Sequence, residues 1–192
     1  MTAPLYGLIL CGGNSSRLGQ AKHLILKEKK ELYIWWQTHL QKYCNEVYIS
    51  CRKDQVSTIN SKAIIIDQSQ NCGPLEGIYQ AFNFSGSVDW LVVAVDLVYM
   101  NDKSLELLIE NSHDPYDAVA FRNPETGGAF PLCSIYRKPA FEAIKSHYFN
   151  EIKSPRLALQ TMNTFLVELT DPKYLKGINT LQDFELWNSG NS

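Results

Sequence analysis

The chain reads Tyr6-Gly-Leu-Ile-Leu-Cys11 immediately before the paired glycines Gly12-Gly13. A continuous apolar run of this length predicts a β-strand buried on both faces, and the glycines predict a tight turn after it. A second run, Trp90-Leu-Val-Val-Ala-Val95, stops at Asp96 and is the strongest strand prediction in the chain. Strands buried on both faces are typical of parallel sheets that helices cover on both sides.

Segments with helical spacing alternate with further short strands. The predicted strands also include 47–50, 63–66, 117–121, 129–136 and 165–169. The predicted helices are 32–43, 74–84, 102–111, 139–147, 155–162 and a last one that ends at Trp187 after the capping box of Thr180 and Asp183. This alternation predicts an α/β fold with a mostly parallel central sheet. No repeat or linker interrupts it, so we expect one domain over residues 1–192.

Composition narrows the class of protein. Lys and Arg number 18 against 20 Asp and Glu, a net charge of −2, which argues against a protein that mainly grips nucleic acid. No apolar run approaches the ~18–20 residues of a membrane span, and no secretory signal opens the sequence, so we expect a cytoplasmic protein. The 5 cysteines form no C-x-x-C pair and the 4 histidines are scattered, which predicts reduced thiols and no transition-metal site.

Three features follow predicted strands and should meet at one edge of the sheet. They are Gly12-Gly13, Asp67 and Asp96. Ligands of open α/β sheets bind beyond the carboxyl ends of the strands, so this edge is the expected site. The segment after Gly13 adds the hydroxyls of Ser15 and Ser16 and the charges of Arg17 and Lys22, which suit a phosphate loop. Taken alone, the same composition also fits a solvated turn with two surface cations.

The loop Gly12-Gly-Asn-Ser-Ser-Arg-Leu-Gly-Gln-Ala-Lys22 resembles the signature of the MobA-like nucleotidyltransferases, the molybdenum cofactor guanylyltransferases and their relatives. Further blocks resemble the family in the same order along nearly the whole chain. They are Asp67-x5-Gly73-Pro-Leu-Glu-Gly77, the strand end 92–100, Asn123-Pro-Glu125 with Pro131-Leu132, and Ile178-Asn-Thr-Leu-Gln-Asp-Phe184.

The resemblance implies a three-layer, Rossmann-like nucleotidyltransferase fold and a reaction. Family members transfer a nucleoside monophosphate from an NTP to the phosphate of a second substrate and release pyrophosphate. In the guanylyl branch, the substrates are GTP and molybdenum-loaded molybdopterin, and Mg²⁺ is the cofactor. Transient contact with other proteins of molybdenum cofactor synthesis is also implied.

The resemblance assigns roles to residues of this chain. Lys22, Arg17 and Asp96 are the implied catalytic residues: the two cations hold the triphosphate, and Asp96 binds Mg²⁺. The implied nucleotide and cofactor contacts are Leu10, Cys11, Gly12, Gly13, Ser15, Arg17, Lys22, Arg52, Asp67, Gly73, Pro74, Leu75, Asp96 and Asn179. Taken alone, Asp96 could cap a loop, Lys22 could be a solvated surface lysine and Asn179 could simply precede a helix.

The strand exit Leu10-Cys-Gly-Gly13 resembles the L-A-G-G of guanylyl members more than the L-A-A-G of cytidylyl members, which favours GTP. Four positions depart from the family pattern: Ala21, Glu76, Val98 and Gly177. We expect Glu76 to add negative charge near an anion site. Two alternatives stay open: a transferase that uses CTP or another phosphorylated acceptor, and a nucleotide-binding module without catalysis.

Overall fold

The computed structural model describes residues 3–13, 18–69 and 73–189. Helices and strands alternate as predicted. In chain order they are β1 (Leu5–Leu10), β2 (Leu26–Lys27), β3 (Lys30–Glu31), α1 (Leu32–Leu40), β4 (Glu46–Cys51), β5 (Ile64–Ile66), α2 (Pro74–Phe84), β6 (Asp89–Ala94), α3 (Asp102–Glu110), β7 (Ala118–Arg122), β8 (Ala129–Tyr136), α4 (Ala140–Phe149), α5 (Pro155–Gln160), β9 (Thr164–Val167) and α6 (Leu181–Ser189). Short 3₁₀ helices lie at Lys22–Leu24, Lys53–Thr58 and Pro172–Leu175.

Seven of the described strands form one sheet in the order β5-β4-β1-β6-β8-β7-β9. β1 pairs in parallel with β4 on one side and β6 on the other, and β4 pairs in parallel with β5. Only β8 among these strands runs antiparallel to its neighbours, β6 and β7. The chain moves outward from β1 to β5 and then returns to the other side of β1 at β6, so the strand order reverses between β1 and β6. Such a reversal opens a crevice at the carboxyl edge of a parallel sheet.

Alternate residues of each central strand face opposite layers of helices. Ile9, Leu91 and Val93 belong to a core with α1, α3 and α6. Leu8 and Val92 belong to a second core with α2, α4 and α5. The predicted α/β, three-layer architecture with a mostly parallel sheet is therefore confirmed. Trp35, Trp36 and Trp90, which the sequence placed in the core, are at most 4% exposed.

Local sequence signals explain where two site-forming helices begin. Gly73 precedes α2 with φ +57°, a left-handed conformation that suits glycine, and Pro74 occupies the first turn. At α6, the Thr180 side chain accepts from the Asp183 backbone N–H at 3.1 Å, and the Asp183 carboxylate accepts from the Thr180 N–H at 2.8 Å. The predicted capping box is therefore present.

The sequence analysis missed the β2–β3 hairpin, whose strands have only two residues each. Its turn places Glu28 and Lys29 at φ 53° and 64°. The Lys27 ammonium lies 3.5 Å from the centroid of the Trp35 ring and donates to the Val98 carbonyl at 2.7 Å. Burial lowers the pKa of Lys27 to about 8. The hairpin is thereby fastened to the loop that follows β6.

Candidate active site

A cleft of about 590 Å³ opens at the carboxyl edge of the sheet, where β5, β4, β1 and β6 end side by side. Each of these strands is followed by a residue that the sequence singled out. The described residues that line the cleft are Leu10, Cys11, Gly12, Gly13, Lys22, Ser50, Arg52, Asp67, Ser69, Gly73, Pro74, Gly77, Ala94, Val95, Asp96, Leu132 and Asn179. The cleft therefore lies where the topology predicts a ligand.

One end of the cleft holds a cluster of Lys22, Asp96 and Asn179. The Lys22 ammonium donates to Asp96 Oδ2 at 2.5 Å and to Asn179 Oδ1 at 2.8 Å. Both ionic side chains are shielded, with 19% of the Lys22 and 15% of the Asp96 side chain exposed. Three distant segments supply them: the 3₁₀ helix after the glycine loop, the loop after β6 and the turn before α6. The tertiary fold thus brings all three predicted residues together.

Gly177 provides the space that this cluster needs. The Ile178 backbone N–H donates to the Asp96 carbonyl at 3.1 Å, which lays the 177–179 segment against the strand end. A Cβ at Gly177 would lie 3.0 Å from Asp96 Cγ. The departure at Gly177 therefore permits the close approach of this backbone to the Asp96 carboxylate.

Arg52 bridges the end of β4 and the glycine turn. Its Nη1 donates to the Gly13 carbonyl at 2.5 Å, while Nε and Nη2 donate to the two oxygens of Asp54 at 3.0 and 2.9 Å. Gly13 has φ +125°, in the region that favours glycine. The guanidinium is thereby fixed against the turn that the sequence predicted to hold phosphates.

The other end of the cleft carries Asp67. Ser50, which is 1% exposed, donates its hydroxyl to Asp67 Oδ1 at 2.8 Å. A Cβ at Gly12 would lie 2.7 Å from Asp67 Oδ2, so the carboxylate packs against bare backbone. Burial raises the pKa of Asp67, a nearby Glu76 adds to this rise, and the Ser50 hydrogen bond opposes it.

We expect Asp67→Asn to raise the melting temperature at neutral pH. The pKa of Asp67 is higher in the folded protein than in the unfolded chain. The folded state therefore holds the carboxyl proton more tightly, and the protein loses stability as the pH rises from the unfolded pKa through the folded one. Asparagine carries no such penalty, so the gain should vanish when the pH falls below the ordinary range of Asp. Thermal unfolding at pH 7.5 and near pH 3 measures this.

Asp54→Asn is the matched control for the sign of the change in melting temperature, because hydrogen bonds from Arg52 lower the pKa of Asp54. That variant should melt no higher than wild type at neutral pH. A lower melting temperature for Asp67→Asn at pH 7.5 would contradict the electrostatic interpretation.

A buried polar network supports the glycine turn from behind, and the sequence analysis did not find it. Gln55 donates to the Cys11 carbonyl at 3.1 Å and accepts from the Arg52 backbone N–H at 3.0 Å. The ring of His23 contacts the Thr58 hydroxyl at 2.9 Å and lies 3.5 Å from Gln55 Nε2. Burial lowers the pKa of His23, which favours the neutral ring. One amide side chain thus links the end of β1, the end of β4 and the segment beside Lys22.

All but three of the predicted site residues line the cleft. Ser15 and Arg17 lie outside the described residues. Leu75 is 0% exposed and belongs to the core beneath α2, and the described lining does not contain it. Cys11 also lines the cleft, but its side chain belongs to the buried core, and burial raises the pKa of the thiol, so it is a neutral group rather than a nucleophile.

The lining residues that the sequence analysis missed are all small or apolar. They are Ser50, Ser69, Gly77, Ala94, Val95 and Leu132. For Gly77 a signal existed in the G-P-L-x-G block. Ser50 ends a predicted strand two residues before Arg52 and could have been inferred from that position.

A second cleft of about 480 Å³ adjoins the first through Asn179, which lines both. Its walls come from the loop between β7 and β8 and from the segment that leads into α6. Its described lining is Tyr99, Asn123, Pro124, Glu125, Phe130, Pro172, Leu175, Lys176, Gly177, Ile178, Asn179, Asp183 and Leu186.

The strand order, the cleft at the carboxyl edge of the sheet and the glycine turn are together those of a nucleotidyltransferase fold. Residues 7–162 match the MobA-like NTP transferase domain, and the chain belongs to this family. The predicted resemblance is thereby confirmed.

Curated relatives agree with this assignment, and a solved structure has the same fold. A molybdenum cofactor biosynthesis bifunctional protein of Synechocystis is 29% identical over 94% of this chain, which spans about half (53%) of that protein. A probable molybdenum cofactor guanylyltransferase of Carboxydothermus hydrogenoformans is 27% identical over 92% of this chain and 91% of its own length. The molybdopterin-guanine dinucleotide biosynthesis protein A of Archaeoglobus fulgidus superposes with a TM-score of 0.77 at 21% identity, covering 97% of this chain and all of that one.

Two kinds of feature are absent from the described residues. Within residues 3–13, 18–69 and 73–189, no helix combines the length and apolarity that a membrane span requires. Across the same ranges, no group of three or more His, Cys, Asp or Glu side chains could hold a metal ion.

Proposed function

We propose that this chain transfers GMP from GTP to the phosphate of molybdenum-loaded molybdopterin and releases pyrophosphate, forming the guanine dinucleotide form of the cofactor. The observation that carries the proposal is the cluster of Lys22, Asp96 and Asn179 beside the Gly12-Gly13 turn, in the cleft of a MobA-like fold. The names of the relatives support the choice of substrates. The proposal treats residues 1–192 as one nucleotidyltransferase domain that works in the cytoplasm.

The order of the strands suggests how the nucleotide lies. Asp67 follows β5 and Asp96 follows β6, three strand positions away, which corresponds to about 14 Å at the usual spacing of strands. An extended nucleotide would place its nucleoside at Asp67 and its phosphates at Gly12, Gly13 and Lys22. An ionised carboxylate at Asp67 can accept from N1–H and the amino group of guanine together, whereas cytosine places an acceptor nitrogen beside its amino group.

The reaction brings anions together, so the site must neutralise charge and align the reactants. An oxygen of the acceptor phosphate attacks the α-phosphorus of GTP, and the bond from that phosphorus to the bridging oxygen of the β-phosphate breaks. Pyrophosphate leaves with the bonding electrons. Lys22 would hold the α-phosphate oxygens, and Arg17 is assigned to the pyrophosphate. The acceptor phosphate is already ionised, so no general base is needed.

The donor set at this end of the cleft fits Mg²⁺. Asp96 offers a hard carboxylate oxygen, and the amide oxygen of Asn179 shares the same ammonium partner. Mg²⁺ is usually bound in proteins through one or two carboxylates together with substrate phosphates. When bound, it supplies positive charge to the phosphates and favours departure of pyrophosphate.

We assign the acceptor to the second cleft. It meets the nucleotide cleft at Asn179, so an acceptor phosphate there can approach the Lys22 end. Lys176 lies in its wall and provides a positive charge for an anionic substrate. Other proteins of molybdenum cofactor synthesis would deliver the acceptor by transient contact.

Thermal unfolding with GTP, CTP, ATP and UTP, each with and without Mg²⁺, tests the nucleotide half. A ligand at 100 times its dissociation constant stabilises by about 2.7 kcal/mol, which for a domain of this size raises the melting temperature by roughly 5–11 °C. We expect the largest Mg²⁺-dependent rise with GTP. The largest rise with CTP would favour a cytidylyltransferase, and no rise with any nucleotide would contradict the proposal.

Pyrophosphate release in the presence of GTP, Mg²⁺ and molybdopterin tests the acceptor half. Release with a sugar phosphate in place of molybdopterin would indicate another acceptor. Binding of GTP without release under any of these conditions would indicate a nucleotide-binding module without catalysis.

A further inference from the structure

Glu76 is a buried carboxylate in the first turn of α2, with 1% of its surface exposed. The sequence analysis expected it to add charge near the anion site. A buried charge must be compensated by hydrogen bonds or an opposite charge, because transfer from water to the interior is costly. Its partners therefore define what it does.

Those partners are two backbone amides of the segment after Asp67 and one amide side chain of α2. Glu76 Oε1 accepts from the N–H of Gln68 at 2.8 Å, from the N–H of Ser69 at 3.2 Å and from the Gln80 side chain at 3.0 Å. The carboxylate also lies in the first turn of an 11-residue helix, where negative charge is favoured. The expected negative charge is present beside the site, since Glu76 helps to raise the pKa of Asp67, and three donors hold its Oε1 in place.

The two amides belong to the residues that directly follow Asp67. The same helix turn carries Pro74 and Gly77, which line the cleft together with Asp67. One side chain thus connects the start of α2 with the segment that follows Asp67. Ser50 donates to the Asp67 carboxylate itself. Glu76 thus fixes the backbone that follows Asp67, and Ser50 fixes the Asp67 side chain.

We propose that Glu76 is a positioning residue that sets the width of the nucleoside end of the cleft, and through it the preference for a guanine nucleotide. The inference rests on the proposed function, because it takes the nucleoside to lie at Asp67. Glu76 acts through the 67–69 backbone and does not touch the reacting atoms.

The reach of the side chain, and not its charge, is what this role requires. Glutamine has the same length and keeps an acceptor oxygen for the Gln68 and Ser69 amides. Aspartate keeps the charge but is one methylene shorter, so its oxygen cannot meet both amides without movement of the wall. Alanine removes the connection altogether.

The experiment compares Glu76→Gln, Glu76→Asp and Glu76→Ala by calorimetric binding of Mg²⁺·GTP and Mg²⁺·CTP. We expect Glu76→Gln to keep the dissociation constant for GTP within about threefold of wild type. The Asp and Ala variants should weaken GTP binding by about tenfold or more, because a displacement near 1 Å at a positioned group has large effects. They should weaken CTP binding less, so the ratio of the two constants should fall.

Glu142→Ala is the matched control, since Glu142 occupies the first turn of α4 and is exposed. It should leave both constants unchanged. Retained binding in Glu76→Asp together with loss in Glu76→Gln would overturn the proposal in favour of a purely electrostatic role. Unchanged constants and an unchanged ratio in the Asp and Ala variants would overturn it as well.

The outcome also separates this inference from the proposed function. If wild type binds neither nucleotide, the proposed function fails and the role of Glu76 fails with it. If wild type binds GTP and the Glu76 variants follow a different order, only the inference about Glu76 is overturned. Glu76→Asp retains the charge and the helix, so folding of at least one informative variant is expected.

Discussion

Asp96→Asn should lower the rate of pyrophosphate release by about 10²–10³-fold, the usual effect of losing one group that stabilises charge in the transition state. Asparagine has nearly the shape of aspartate but no charge, so Lys22 loses its ionic partner and a hard oxygen ligand is weakened. The protein should remain folded, since the amide still fits against Gly177 and Ile178. Steady-state turnover and circular dichroism measure the two effects.

Asp102→Asn is a suitable control for that variant. It also neutralises a carboxylate near the end of β6, where Asp102 pairs with Lys42 at 2.6 Å, but it lines neither cleft. Its turnover should equal that of wild type. Wild-type turnover in Asp96→Asn would remove Asp96 from the mechanism.

Gly77→Ala should destabilise the protein by about 1–3 kcal/mol, the usual cost of overpacking a core. The new Cβ would lie 2.2 Å from Ser50 Oγ and 2.7 Å from Leu10 Cδ2, and both residues are buried. Alanine gains roughly 1 kcal/mol over glycine inside a helix, which is too little to offset such a collision. The melting temperature should fall by roughly 2–12 °C.

A double-mutant cycle identifies the source of this loss. Ser50→Ala removes the atom with which the new Cβ collides, so Ser50→Ala and Gly77→Ala together should cost less than the sum of the single changes, with a coupling of about 0.5–3 kcal/mol. Gly128→Ala is the control, because its Cβ would meet its nearest neighbour at an ordinary 3.8 Å. Additive effects would show that the collision with Ser50 is not the cause.

The central strands of the sheet were predicted well because almost all of their residues are apolar and most are buried. The residues of β1 and β6 form continuous apolar runs, and Gly73 with Pro74 marks the start of α2 correctly. The β2–β3 hairpin was missed because two-residue strands have no periodicity to detect. Its Lys27, which reads as a surface residue, is fixed by Trp35 and Val98, and these contacts depend on the tertiary fold.

Site residues that follow strand ends, or that the family resemblance covers, could be predicted from the sequence. Lys22, Asp96 and Asn179 meet because their segments converge on one edge, as the topology implies. The supports of the site could not be predicted in the same way. Gln55 and Glu76 are polar side chains whose burial depends on which backbone amides and carbonyls face them, and sequence spacing does not contain that information.

The hydrogen bond between Lys22 and Asn179 joins residues that are 157 positions apart. A contact of such long range closes a large loop of chain, so it costs more entropy than a local contact, and a chain emerging from the ribosome folds its early segments first. A nascent chain that has exposed β1 through β9 can complete the sheet while the 177–179 segment is still to come. The cluster at the phosphate end is therefore assembled last during synthesis, so a partly translated chain would have the scaffold before it has a complete site.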